Sequence, residues 1–551
     1  MGRQPKPWGG GSGAGGGGGY TRPDLKVVYK DLPSLADAVA NGAAEWAAER
    51  DVSTLCGAFN LACKLGMSPG QQPHDDDPQR AALLHRTVAT LAAVYLPLVP
   101  GLRAAKWCVI PLWACAKAGY WGGGLADALL WRLGRDAGAL MRQANGQDHG
   151  NVWWSLSEAP EEVIKTEHTE AVLDASGDRL QQMQAASSKD TRKGLLAADL
   201  LQPQECANVL LACARLQRSP IALLHHMTAC LAAQPDATCQ PVANSLYALG
   251  ELFEDCGHMP RPQDLQRLAA TAVERLAGKL QGTGRPERDG GGDVFIPQHL
   301  SNILLGCAKL GYTNPDLLLP LAAECKRRNF TSFNAQTLFN AVWALAKMGY
   351  NSDQAWFAAA VAAAVRPGVA QELKAQEWSN LWYGLVQVQH RPNPAFLKST
   401  LAASEVLRTQ ANGQECANLL WSLATLKVPY EPRLVDVLVG RLVELLPQNE
   451  VNVQNLANSV WALAVMGPSV LFRQQRPVEA LLREAVRRWD GADGGAGDGR
   501  ASSVTVFNLI DLAQLWRVQQ ELEHADGCGE LAGIMASARG LLSAARRAAS
   551  Q

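Results

Sequence analysis

The sequence predicts an all-α fold, an α-solenoid or superhelix of stacked helix-pair repeats of about 38 residues. Three observations predict it: a motif recurs along the chain, its copies are regularly spaced, and no stretch alternates apolar and polar residues as a half-buried strand would. The motif is clearest in VNVQNLANSVWALAVMG at 451–467, NAQTLFNAVWALAKMGY at 334–350, NGQECANLLWSLATLKV at 412–428 and PQECANVLLACARLQ at 203–217. Its core is a Gln, three residues, an Asn, two residues, then Trp or another large apolar residue followed by a small, apolar, small run.

Eight copies carry both amides: Gln147/Asn151, Gln204/Asn208, Gln240/Asn244, Gln298/Asn302, Gln336/Asn340, Gln376/Asn380, Gln414/Asn418 and Gln454/Asn458. The Asn positions are evenly spaced except for two long intervals, from Asn151 to Asn208 and from Asn244 to Asn302. The first holds a polar, Glu- and Gln-rich insert at 161–199 and the second a Gly-rich charged loop at 281–293. A fixed period of this length is the mark of a solenoid, in which each unit buries its apolar face only against its neighbours. Weaker copies at 54–66, 106–120 and 503–515 extend the array to ten or eleven units.

Each unit reads as two helices. The motif helix starts at a short polar residue six before the Asn (Asn145, Thr238, Asn334, Asn412, Asn452), whose side chain can accept from free backbone N–H groups. Its companion is a longer apolar-periodic stretch, as at 431–447, 314–328 and 476–489, where proline near the start costs no hydrogen bond. The chain then divides into a Gly-rich tail or partial transit peptide at 1–23, degenerate repeats at 31–160, the insert at 161–199, repeats at 200–490, and a C-terminal helical cap at 491–551.

A repeat array grows by addition, so 551 residues need not mean several globular domains. The longest apolar stretch, at 87–102, contains two prolines and falls short of the roughly 20 residues of a membrane span, so no membrane association is expected. Thirteen cysteines suggest a metal or disulfide framework until they are placed in the repeat. Cys206 and Cys416 stand two before the Asn, and Cys213 and Cys307 five after it, where other copies carry Leu; they read as small core residues. No CxxC pair occurs and no His or Asp recurs at ligand spacing, so neither a metal nor another cofactor is expected. GxSxG, GxxxxGK[ST] and HExxH are absent, and no carboxylate pair recurs, so the chain does not read as an enzyme.

Binding is the better-supported class. At about 100° per residue, the Gln four earlier lies about 40° from the Asn and the residue seven later about 20° from it, on the same side. These three positions share one stripe. Positions −2, +1, +2, +5 and +8 fall opposite and are apolar, while the large residue at +3 lies on the border, about 60° from the Asn. Position +7 is cationic in five copies (Lys64, Lys117, Arg215, Lys309, Lys347) and is Glu158, Glu251, Gln387, Thr425, Val465 or Gln514 elsewhere.

Stacked units would line these groups into a ladder. The expected role of the Asn residues (Asn151, Asn208, Asn244, Asn302, Asn340, Asn380, Asn418, Asn458) is structural, tying each repeat to the next loop, since buried amides need partners. The Gln residues (Gln147, Gln204, Gln240, Gln298, Gln336, Gln376, Gln414, Gln454) and the five +7 cations are the candidate RNA contacts. The +3 residues Trp154, Tyr247, Trp343, Tyr383, Trp421 and Trp461 are expected to pack between helices, with base stacking as the alternative. Helical-repeat readers of single-stranded RNA address about one base per unit through a few side chains at fixed positions.

The run QNLANSVWALA at 454–464 resembles the octotricopeptide repeat family of green algae, and the likeness covers roughly residues 140–490. The resemblance implies an α-solenoid that binds organellar single-stranded RNA, mostly in the chloroplast, and acts in transcript stability, processing, splicing or translation, alone or with protein partners. Mitochondrion is the alternative compartment. A RAP domain, which ends some relatives, is not recognisable in 516–551. The net charge of −1 departs from the basic balance usual in RNA binders, because phosphate contacts supply much of the affinity. That neutrality favours the rival function, a protein-interaction scaffold of armadillo or HEAT type; a continuous basic stripe would favour RNA.

Overall fold

In the computed structural model, the structure describes residues 25–66, 77–186, 199–278, 294–429, 431–493 and 507–550. The Gly-rich segment 1–23, the loop 281–293 and most of 491–499 lie outside the described residues. The chain forms two compact units, residues 1–234 and 235–551.

In the first unit the motif helices Val52–Gly66, Ala105–Ala118, Gly146–Ser157 and Pro203–Arg215 pack one on the next. In the second the series runs through Cys239–Cys256, Pro297–Leu310, Ala335–Lys347, Ala375–Gln387, Gly413–Thr425, Val453–Val465 and Leu509–His524. Companion helices such as Pro262–Gly278, Pro315–Arg327, Gln354–Ala364, Pro432–Leu445 and Gln475–Asp493 form the other layer of the second unit. Gly529–Ser537 and Arg539–Ala549 close it. This is the all-α stack of helix pairs that the period dictates.

The helix ends follow local chemistry. Asn145, Asn334, Asn412 and Asn452 each accept from the backbone N–H three residues on, and Asn145 and Asn412 complete capping boxes with Asp148 and Glu415. Thr238 occupies the same position without a side-chain cap bond. At the other end, nine residues past the Asn register, the chain turns left-handed: Gly311 (φ 66) and Gly349 (φ 72) do so freely, and Gln217, Gln389 and Lys427 do so with a Cβ (φ 52, 53 and 48).

The core lies between the layers and is built from the positions opposite the amide stripe. Positions −2, +2 and +5 are buried in all eight copies, with Trp378 and Trp382 the largest such side chains. The cysteines at 206, 213, 307 and 416 are buried among them, and burial pushes the Cys307 thiol up to about 12, so it stays neutral. Small residues set how closely helices approach. Gly250 and Gly306 meet where Cys239–Cys256 crosses Pro297–Leu310: a Cβ on Gly250 would sit 2.7 Å from Gly306 Cα, and one on Gly306 would collide with Leu246 O.

Two segments differ from expectation. Within 161–199, Glu167–Leu180 is a helix whose Val172, Leu173 and Leu180 are buried, and it packs on Leu125–Arg142 as a companion helix. Its acidic outer face masks the apolar period in the sequence. The described ends of this segment also pair as parallel strands, Gln184–Ala185 with Leu200–Leu201. Upstream, Pro78–Tyr95 continues into a 3-10 turn, Leu96–Gly101, giving a 24-residue stretch apolar and long enough to cross a membrane by composition. Leu84, Val88, Leu91 and Tyr95 of this stretch are buried against neighbouring helices, and Tyr95 Oη donates to Trp107 O at 2.7 Å.

Candidate nucleic-acid interface

The period places one amide-bearing stripe on every motif helix. Its Gln residues reach solvent: Gln147, Gln240, Gln298, Gln336, Gln376, Gln414 and Gln454 are exposed and Gln204 is half-buried. All eight Asn residues are half-buried, one step nearer the helix contact. Gln147 and Gln204 belong to the first unit and the other six to the second.

The amide hydrogen bonds run along the stripe. Gln204 Nε2 donates to Asn208 Oδ1 at 2.8 Å within one helix, and Gln514 Nε2 donates to Asn458 Oδ1 at 2.9 Å between successive helices. Among the described residues, no bond joins one of the eight Asn side chains to the backbone of a neighbouring loop. Gln514 also changes register. Asn508 caps its helix, so Gln514, six residues later, occupies the Asn position rather than +7. The assignment from sequence counted from Phe507 because no Gln marks this copy.

The +3 residues all lie half-buried at the edge of the stripe: Trp154, Tyr247, Trp343, Tyr383, Trp421 and Trp461. This separates them from Trp378 and Trp382, which are wholly buried. Some rings meet. Tyr383 and Trp421, on successive helices, have centroids 5.6 Å apart at 34°. Lys117 Nζ lies 3.9 Å above the Trp154 ring and Lys347 Nζ 4.6 Å above the Trp343 ring, placing ammonium charge on the electron-rich ring face.

In neither unit do the +7 cations form a continuous basic stripe. Lys64 is exposed. Arg215 pairs with Glu158, the +7 residue of the preceding helix. Lys309 Nζ is 2.7 Å from Glu251, again +7 to +7, and 2.6 Å from Glu254 one turn on. Lys347 lies 3.9 Å from the same Glu254. Burial alone would pull the Lys309 ammonium down, but its bonds to Glu251 and Glu254 hold it above its ordinary value, and its side chain is only 13% exposed. Lys117 is shifted down by burial despite the attraction of Glu158. The next three motif helices carry Gln387, Thr425 and Val465 at +7 and add no charge there.

Sequence reasoning noted Glu158 and Glu251 as exceptions to the cationic rule without pairing them. The signal was an acidic +7 residue in one copy followed by a basic one in the next. A second omission lies at the junction of the first unit's last two motif helices, where Glu205 presses on Gly146 and Gly150, leaving no room for a Cβ at Gly146. Burial raises the Glu205 carboxyl to about 7, against the lowering effect of a hydrogen bond from Gln202 N, and nearby Asp148 adds to the rise.

What the stripe offers chemically is a file of neutral amides, each able to donate and accept, beside half-exposed aromatic rings, with internally balanced charge. Among the described residues no group of three or more His, Cys, Asp or Glu could hold a metal ion.

No family model and no curated protein matches the sequence. Among solved structures, the chain is similar to the pentatricopeptide repeat protein PPR10 in complex with an 18-nt psaJ RNA element, at 14% identity over 95% of this chain and 88% of that one, with a TM-score of 0.20. A cysteine-to-serine variant of the same complex matches with the same values. A superposition at that level decides neither ligand nor family.

Proposed function

We propose that this protein binds single-stranded RNA sequence-specifically through the stripe of its motif helices, and that it acts on organellar transcripts in the chloroplast. The observation that carries the reading is the row of exposed Gln side chains at one register position, flanked by half-exposed rings. Each Gln can donate to and accept from the edge of an unpaired base, and each ring can stack on its face. The resemblance of the motif to the octotricopeptide repeat supports RNA as ligand and supplies the compartment. Transcript stability, processing, splicing or translation would each follow from occupying a defined site on a transcript, without catalysis by this chain.

A protein-interaction scaffold is the second reading, and the paired +7 charges favour it, since they leave little free cation for phosphate. The two are separated by single substitutions Gln336→Ala, Gln376→Ala and Gln414→Ala, with thermal melting and binding to single-stranded RNA measured in parallel. RNA reading requires weaker binding at unchanged melting temperature. Binding indifferent to all three would move the function to a protein partner.

A further inference from the structure

We infer that Glu158, Glu251 and Glu254 are built-in competitors for phosphate: they hold Arg215, Lys309 and Lys347, so an RNA strand lying along those helices is gripped by its bases rather than its backbone. The inference rests on the RNA reading and concerns how that same face discriminates.

Three observations carry it. First, the acidic partners are supplied by neighbouring helices in register, not by chance surface neighbours: Glu158 meets Arg215 and Glu251 meets Lys309 across successive motif helices, 57 and 58 residues away in sequence. Second, Glu254 serves three helices at once, lying on Cys239–Cys256, holding Lys309 at 2.6 Å and standing 3.9 Å from Lys347 two motif helices further on. Third, the helices that follow carry Gln387, Thr425 and Val465 at +7, so the stripe continues without charge while Gln376, Gln414, Gln454, Tyr383, Trp421 and Trp461 still face outward or edge the surface.

A carboxylate at hydrogen-bond distance gives a lysine what a phosphate oxygen would give it. The strand must displace Glu251 and Glu254 from Lys309 before any phosphate contact is gained there, and the displaced carboxylates then repel the backbone. Amides and rings carry no net charge to be masked in this way. The consequence is discrimination: a sequence-blind phosphate term is suppressed and the sequence-dependent base term is kept.

The test compares the full chain with Glu251→Gln/Glu254→Gln, and with the triple variant that adds Lys309→Met, binding random-sequence single-stranded RNA between 50 and 200 mM salt, with melting temperatures as the fold control. The double variant is expected to bind more tightly at low salt and to steepen the log–log salt slope by about 0.7 for each lysine released, roughly 1.4 for both Lys309 and Lys347. Adding Lys309→Met to the double variant is expected to take back about 0.7 of that slope, because the lysine released there is gone. A double variant with unchanged slope, or a triple variant whose slope equals that of the double, overturns the inference while leaving RNA binding intact. Absence of RNA binding in the wild type and both variants overturns the RNA reading itself, and the inference with it.

Discussion

Gln514 Nε2 donates to Asn458 Oδ1 at 2.9 Å, joining residues that stand six positions past the N-cap of two successive motif helices. The helices are 56 residues apart in sequence at this point, and the bond fixes their register along the stack. One such bond is worth about 1 kcal/mol. Asn458→Ala and Gln514→Ala should each lower unfolding free energy by about that much, and the double variant should cost less than the sum of the singles. Additive losses in urea titrations would mean that the bond does not couple the helices.

The contact between Gly250 and Gly306 predicts an asymmetry between two glycines at equivalent positions, four past the Asn. A Cβ at Gly306 drives into Leu246 O and lies 2.9 Å from Tyr247 N, while a Cβ at Gly384 meets Val342 Cγ1 at an ordinary 3.5 Å. Gly306→Ala is therefore expected to destabilise by about 1–3 kcal/mol, the cost of overpacking rigid backbone. Gly384→Ala should be neutral or stabilise by up to about 1 kcal/mol through helix propensity. Equal effects in thermal melts would refute the close approach.

Trp382 and Trp421 test the proposed division between packing and recognition. Trp382 is wholly buried and its Nε1 donates to Thr400 Oγ1 at 3.0 Å, whereas Trp421 is half-buried on the stripe beside Tyr383. Trp382→Ala should cost about 3–5 kcal/mol of stability. Trp421→Ala should cost clearly less stability but weaken RNA binding by about 1–3 kcal/mol, the usual worth of one stacked base. If Trp421→Ala melts like Trp382→Ala and binds RNA normally, its role is packing alone.

How much of this was legible in the sequence follows from the range of each interaction. The period, the Asn caps and the apolar positions are local, repeated signals, and they determined the helix pairs and the amide stripe before any coordinates. Register at Leu509–His524 was missed because its stripe carries Ile510 where others carry Gln, leaving Asn508 as the single marker. The companion helix Glu167–Leu180 was hidden because its exposed face is acidic enough to swamp Val172, Leu173 and Leu180. The pairing of Lys309 with Glu251 and Glu254 lay beyond any window of helical neighbours, and it became visible only when the helices stood side by side. A charge count saw the sum, −1, but not its arrangement.

Glu205 carries a pH signature. Its folded carboxyl is raised from 4.5 to about 7, so the folded state holds a proton that the unfolded chain releases earlier. The resulting stability is fully present below about pH 4.5 and is lost as pH rises toward 7. At 1.36 kcal/mol per unit, the loss across that window is at most about 3 kcal/mol. Glu205→Gln keeps an acceptor for Gln202 N and removes the titration. The difference in urea midpoint between pH 5 and pH 7 should shrink in the variant, and an unchanged difference would show that Glu205 ionises normally.

The central claim is met most directly by presenting the purified full chain with a pool of random single-stranded RNA, with double-stranded DNA as the control, and sequencing what is retained. Selective retention of single strands, with an enriched sequence that blurs at one position in Gln414→Ala, is the result expected if the stripe reads bases. No retention of RNA, or retention of RNA and DNA alike without enrichment, would contradict it.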